Sequence, residues 1–228
     1  MVRKQGRPKA GQEALTQEKI LRAALALVDR DGVERLSMRR LASELDVDPM
    51  AIYHHVASKQ ALLSGIVDLV FAELQVRPED GATWQQQIEA FAHAYRRLAM
   101  AHPNLVLHLI TDAEAGAGAA LMANELLYRA LAAAALSPQM VVRAGDLIVD
   151  FLNGYVLGES TGRLGQPGER GEMLAQLDQQ PAGSFPTLRR VFATLRNTDA
   201  LANFDVELAI VLAGIEVLAN RNGAALPE

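Results

Sequence analysis

The chain has 228 residues, half of them hydrophobic, which is enough to bury a sizeable core. It contains no cysteine, which excludes a disulfide framework and any thiolate metal site, and no run approaches the roughly 18 apolar residues that would span a bilayer. The formal net charge of -5 hides an asymmetry, because residues 1–59 hold 11 Lys/Arg against 8 Asp/Glu and form a basic head on an acidic body.

Met1 to Gln12 is polar and basic, without the apolar stretch of a secretory leader, so a cytoplasmic protein with no membrane partner is expected. Residues 1–15 include Arg3, Lys4, Arg7 and Lys9 and too few apolar groups to fold alone. They read as a flexible basic arm, either a plain tail or an arm for the DNA minor groove. Thr16 caps a helix in which Ile20, Leu21, Ala24, Leu27 and Val28 recur at the helical period, stopping at Asp31-Gly32. Ser37 caps a short second helix with Leu41, Ala42 and Leu45 on one side. Asp48-Pro49 is the cap and first residue of a third, which runs no further than about Val56. Ser58 opens a fourth, with the stripe Leu62, Leu63, Ile66, Val67, Val70 and Leu74. Pro and Gly within 77–82 mark a boundary, which divides the chain into a head over 16–76 and a body over 83–222.

The body shows only helical periods, so the fold class is all-α. Thr83 caps a helix carrying Trp84, Ile88, Phe91, Tyr95 and Leu98, which ends near His102-Pro103. A short helix follows over 105–110, then an Ala/Gly-rich connection over 113–119 and a helix through Leu121, Leu126, Leu127 and Leu131. Ser137-Pro138 opens an apolar helix to about Leu157. Residues 162–183 read as a loop, followed by helices from Ser184-Phe185 to about Arg196 and from Asn203 to Asn220.

The second and third helices are separated only by Asp46 and Val47, on a basic head, and that pairing points to a helix-turn-helix for double-stranded DNA. The third helix would present Met50, Ala51, Tyr53, His54 and His55 to the major groove, with Ile52 and Val56 turned inward. Ser37, Arg39, Arg40, Ser58 and Lys59 suit phosphate oxygens, and Arg39 also reaches a guanine edge. An alternative use of such a head is docking a protein.

Ile20 to Leu27, Asp31-Gly32, Leu36 to Ala42, Leu45-Asp46-Val47, Ala51 to Val56, Ser58-Lys59 and Leu62-Leu63 together resemble the DNA-binding domain of the TetR family. The resemblance implies that Tyr53 and Lys59 hold phosphates, while Arg39 and the exposed face of the third helix contact bases. The body is similar to the tetracycline-repressor branch in Thr83-Trp84-Gln85, in His108-Leu109 with Thr111, and in Gly154-Tyr155-Val156-Leu157. In that branch the histidine and threonine serve a magnesium-chelated drug. This chain has Gln75 and Phe91 where a histidine and an asparagine contact the drug.

These features predict a ligand-responsive repressor that is not an enzyme, carries no cofactor and no metal site of its own, and binds a palindromic operator as a homodimer. A small-molecule effector would lie among Phe91, Tyr95, His108, Thr111, Leu126, Leu147 and Phe151. The aromatic stripe also fits an ordinary core, and His108 also fits a satisfied core histidine or a metal ligand. Gly154, Gly158, Leu208, Leu212 and Ile215 are expected at the interface between copies; the other reading of these two apolar helices is intrachain core. Gly158-Glu159-Ser160-Thr161-Gly162 matches the spacing of a nucleophile elbow, but a helix precedes it where that motif needs a strand.

Overall fold

The computed structural model describes residues 14–111, 117–161, 174–193 and 204–220, and among them there is helix and no strand. The expected basic arm lies outside the described residues. The helices are α1 (Gln17–Asp31), α2 (Met38–Glu44), α3 (Pro49–Tyr53), α4 (Lys59–Phe71), α5 (Trp84–Ala101), α6 (Pro103–Thr111), α7 (Ala117–Ala132), α8 (Pro138–Ser160), α9 (Pro186–Ala193) and α10 (Phe204–Asn220). A 3-10 turn, Val33–Arg35, joins α1 to α2.

The chain forms two compact units, Met1–Glu73 with Asn104–Leu121, and Leu74–Pro103 with Met122–Glu228. Nearly all of α6, which chain order would assign to the body, belongs to the first unit. The reason is local: Asn104 Nδ2 donates to Val28 O (3.1 Å) and Asp29 O (2.9 Å), two carbonyls in the last turn of α1. Leu105 and Val106 are buried beside it.

In the first unit α1 packs on α2 and α4. Ile20, Ala24, Leu27 and Val28 of α1 are buried, with Leu41 and Ala42 of α2, Ile52 of α3, and Leu62, Ile66, Val67 and Val70 of α4. Each large side chain taken out of water here contributes about 1.5–3 kcal/mol. Gly65 leaves room for Leu21 of α1, since a Cβ there would stand 2.7 Å from Leu21 Cδ2. The stripe expected on α4 outlasts its helix: Leu74 lies three residues beyond Phe71, in the second unit.

In the second unit α5 packs on α8, and α8 on α10. A capping box starts α5, with Thr83 Oγ1 accepting from Gln86 N (3.3 Å) and Gln86 Oε1 from Thr83 N (2.9 Å). Phe151, Tyr155 and Phe204 form an aromatic cluster with ring centroids 4.9–5.9 Å apart. The Arg96 guanidinium lies 5.1 Å from the Phe204 centroid, and Arg96 Nε donates to Glu159 Oε2 (2.8 Å). These contacts join α5, α8 and the first turn of α10.

The sequence gives no hint that part of 162–183 is helical, but residues 174–178 are, and Arg189 of α9 organises the turn after them. Its Nη2 donates to the carbonyls of Leu177, Gln180 (2.9 Å) and Pro181 (3.3 Å), and its Nε to Ser184 O (2.9 Å). One guanidinium therefore ties together four carbonyls of the turn between residues 177 and 184. Residues 162–173 lie outside the described residues.

Candidate nucleic-acid interface and effector site

Three short polar side chains set the ends of the reading elements. Ser37 Oγ accepts from Arg40 N (3.2 Å), Asp48 Oδ1 from Met50 N (2.8 Å) and Ser58 Oγ from Ala61 N (3.1 Å), fixing the starts of α2, α3 and α4. The oxygens of Ser37 and Ser58 are thus used within the head, and their O–H groups remain as donors for a phosphate. Between α2 and α3, Val47 N donates back to Ala42 O (3.0 Å), and Asp46 takes a left-handed backbone with φ 52° to turn the chain. Ile52 and Val56 anchor α3 in the core.

On its other side α3 presents Met50 at 62% exposure and Tyr53 at 45%, with His54 and His55 exposed and Ala51 half-buried. Arg39 is exposed at the start of α2. Arg40, expected at phosphate, is engaged within the head: its Nη2 donates to Asp31 Oδ2 (2.6 Å). Arg30 joins both ends of this network, with Nε 2.9 Å from Asp31 Oδ2 and Nη2 3.2 Å from Glu44 Oε2. The hydrogen bond from Arg30, with the charge of Arg40, holds the Asp31 carboxyl below the ordinary carboxylate range. Lys59 directs one ammonium donor to Val33 O (3.3 Å) and keeps the others.

The residues expected around an effector divide between the units. Phe91, Tyr95, Leu126, Leu147 and Phe151 belong to the second unit, and His108 and Thr111 to the first. The side chain of Thr111 lies outside the described residues. Phe91 is buried and stacks on Tyr95, centroids 6.3 Å apart. Tyr95 Oη donates to Asn153 Oδ1 (2.6 Å) across α5 and α8, and burial pushes the phenol up to about 12. Asn153 is a part of this site that sequence reading missed, since a lone asparagine on an apolar helix carries no local signal. Leu126 and Phe151 are half-buried. Leu147 is 50% exposed, on the same side of α8 as exposed Asp150 and Gly154, and so does not line an interior site within the chain. Gln75 lines an open depression of about 270 Å³ with Arg77, Ala90, His93 and Arg97. Among the described residues no group of three or more acidic or histidine side chains gathers to hold a metal.

The interface expectation needs correcting at three positions. Leu208, Leu212 and Ile215 are buried within the chain at 4% exposure or less. The opposite stripe of α10, Val206, Ile210, Ala213 and Val217, is exposed. A helix with apolar residues on two faces offers two stripes at the same spacing, and sequence period alone does not say which faces the chain's own core. Gly154 is exposed and Gly158 half-buried. The nucleophile-elbow spacing falls at the end of α8, where Ser160 Oγ donates to Leu157 O (3.2 Å).

Residues 20–66 match the model of "bacterial regulatory proteins, tetR family", and residues 77–219 match that of the "tetracyclin repressor-like, C-terminal domain". The chain is 36% identical over 206 residues to an HTH-type transcriptional regulator of Saccharopolyspora erythraea, covering 90% of this chain and 86% of that one. It is similar to ActR of Streptomyces coelicolor in complex with actinorhodin, with 30% identity and a TM-score of 0.75 over 91% of this chain and 99% of that one. It is also similar to BioQ with its double-stranded DNA operator, with 26% identity and a TM-score of 0.58 over 72% of this chain and 95% of that one.

Proposed function

The chain belongs to the TetR family of bacterial regulatory proteins, and from that premise we propose how its residues divide the work of a ligand-responsive DNA-binding repressor. Such a protein binds a palindromic operator as a homodimer and is released by a small-molecule effector. The observation that carries the assignment is the face of α3 and the turn after it: a segment anchored by buried Ile52 and Val56 that turns Met50, Tyr53, His54 and His55 outward from a basic head. Ala51 completes the face. Arg39 reaches a base, and Tyr53, Lys59 and the hydroxyls of Ser37 and Ser58 hold phosphates. Arg40 orients α2 through Asp31 and keeps its remaining N–H groups for the DNA backbone.

Two copies associate through the exposed stripe Val206, Ile210, Ala213 and Val217, with Leu147 and Gly154 of α8. The reading helices then stand about 34–36 Å apart, one turn of DNA. The effector lies against Phe91, Tyr95 and Phe151 and hydrogen-bonds the Asn153 amide. Leu126, of the same unit, supplies a further apolar contact. The effector acts by binding one spacing of the heads better than the other, since equal affinity shifts nothing; a full reversal of population needs about 5.5 kcal/mol of difference. The relatives are regulators and not enzymes, and this chain is taken to be a regulator that works in the cytoplasm, where its operator lies.

The test is a gel shift on an operator selected from a random duplex pool. Arg39→Ala and Tyr53→Phe together are expected to lower affinity at least tenfold while sedimentation still reports a dimer. Unchanged affinity would remove these residues from the interface.

A further inference from the structure

We propose that Met50 reads a thymine methyl group in each operator half-site, so that part of the sequence preference of this protein is apolar. The inference rests on the DNA-binding role given above and adds the base that one residue selects.

Met50 is the second residue of α3, in the part of a recognition helix that meets base edges. Its position is fixed from both sides: Asp48 Oδ1 accepts from its backbone N–H at 2.8 Å, and Ile52, two residues on, is fully buried. The side chain nevertheless leaves the protein, at 62% exposure, and is one of the most exposed large apolar groups in the first unit. A thioether has no donor and only a weak acceptor, so it cannot make the paired hydrogen bonds by which Arg, Asn or Gln distinguish guanine and adenine. In the major groove the one apolar feature that differs among the four bases is the C5-methyl of thymine. A long, flexible and polarisable side chain at the leading turn matches that group and no other base edge. Tyr53, one turn on, is 45% exposed and carries a hydroxyl suited to phosphate, which leaves Met50 as the apolar end of the reading face.

Replacement of single thymines by deoxyuridine in the selected operator tests this directly, because it removes the methyl and leaves the base-pair hydrogen bonds intact. With the full-length protein, one thymine position per half-site is expected to show about fourfold weaker binding on replacement, the equivalent of about 0.8 kcal/mol for one buried methyl. In Met50→Ala, a change at a largely exposed side chain, the same replacement is expected to have no effect, while circular dichroism and dimerisation stay as in the parent. Methyl sensitivity that persists undiminished in Met50→Ala, or an operator at which no thymine responds, would overturn the inference and leave the DNA-binding role standing. Failure to select any operator would overturn both.

Discussion

Asp46 turns the chain between α2 and α3 with φ 52°, a backbone region that costs an L-residue about 1–2 kcal/mol and glycine almost nothing. Asp46→Gly should therefore raise stability by about 1 kcal/mol and Tm by about 2–4 °C in a thermal melt; an unchanged or lower Tm would mean that the aspartate is not strained there. Tyr95 supplies a pH test. Its folded pKa, about 12, is raised by burial above the ordinary tyrosine value, so the folded state keeps the proton that the unfolded chain loses. Its contribution is complete below about pH 10 and is lost as pH rises toward 12. Tyr95→Phe should flatten the alkaline limb of a denaturant-midpoint profile in that window, and it should cost about 1 kcal/mol at neutral pH through the lost bond to Asn153. Arg40 marks the limit of sequence reading at this scale. An exposed arginine at a helix start resembles a phosphate ligand, and its ion pair with Asp31 depends on how α1 and α2 cross.

Helix starts were legible because caps are local. Thr16, Ser37, Asp48-Pro49, Ser58, Thr83 and Ser137-Pro138 each precede the helix they were expected to open. What a helix faces was less legible. The two stripes of α10 are chemically alike, and only packing separates Leu208, Leu212 and Ile215 inside from Val206, Ile210 and Val217 outside. The turn that Arg189 organises was invisible for a related reason: its acceptors are backbone carbonyls, which any sequence supplies. That contact predicts that Arg189→Lys fails to rescue Arg189→Ala, because an ammonium cannot reproduce the fork. In both variants hydrogen exchange over residues 177–185 should rise while α5 and α8 keep their protection. Equal protection in the lysine variant and the parent would refute the clamp.

At the scale of the whole molecule, α10 leaves the apolar stripe Val206, Ile210, Ala213 and Val217 exposed, and the proposed dimer covers it. Ile210→Glu places a charge in that stripe without disturbing the buried one, and should convert the dimer to monomer in sedimentation and reduce operator binding by at least tenfold at equal concentration. A dimer that survives the change would place the interface elsewhere. The head and its partner class could be read from sequence because a helix-turn-helix is a compact local pattern, whereas the proposed effector site draws on α5 and α8, some sixty residues apart. The most direct measurement is operator affinity as a function of salt, on a two-fold symmetric duplex and on a scrambled one. With Arg40 and Lys59 of two copies meeting about four phosphates, log K should fall against log salt with a slope of about -4, and the symmetric duplex should bind more tightly throughout. A slope near zero, or equal affinity for the two duplexes, would contradict the assignment of residues 37–59 as a DNA-reading head.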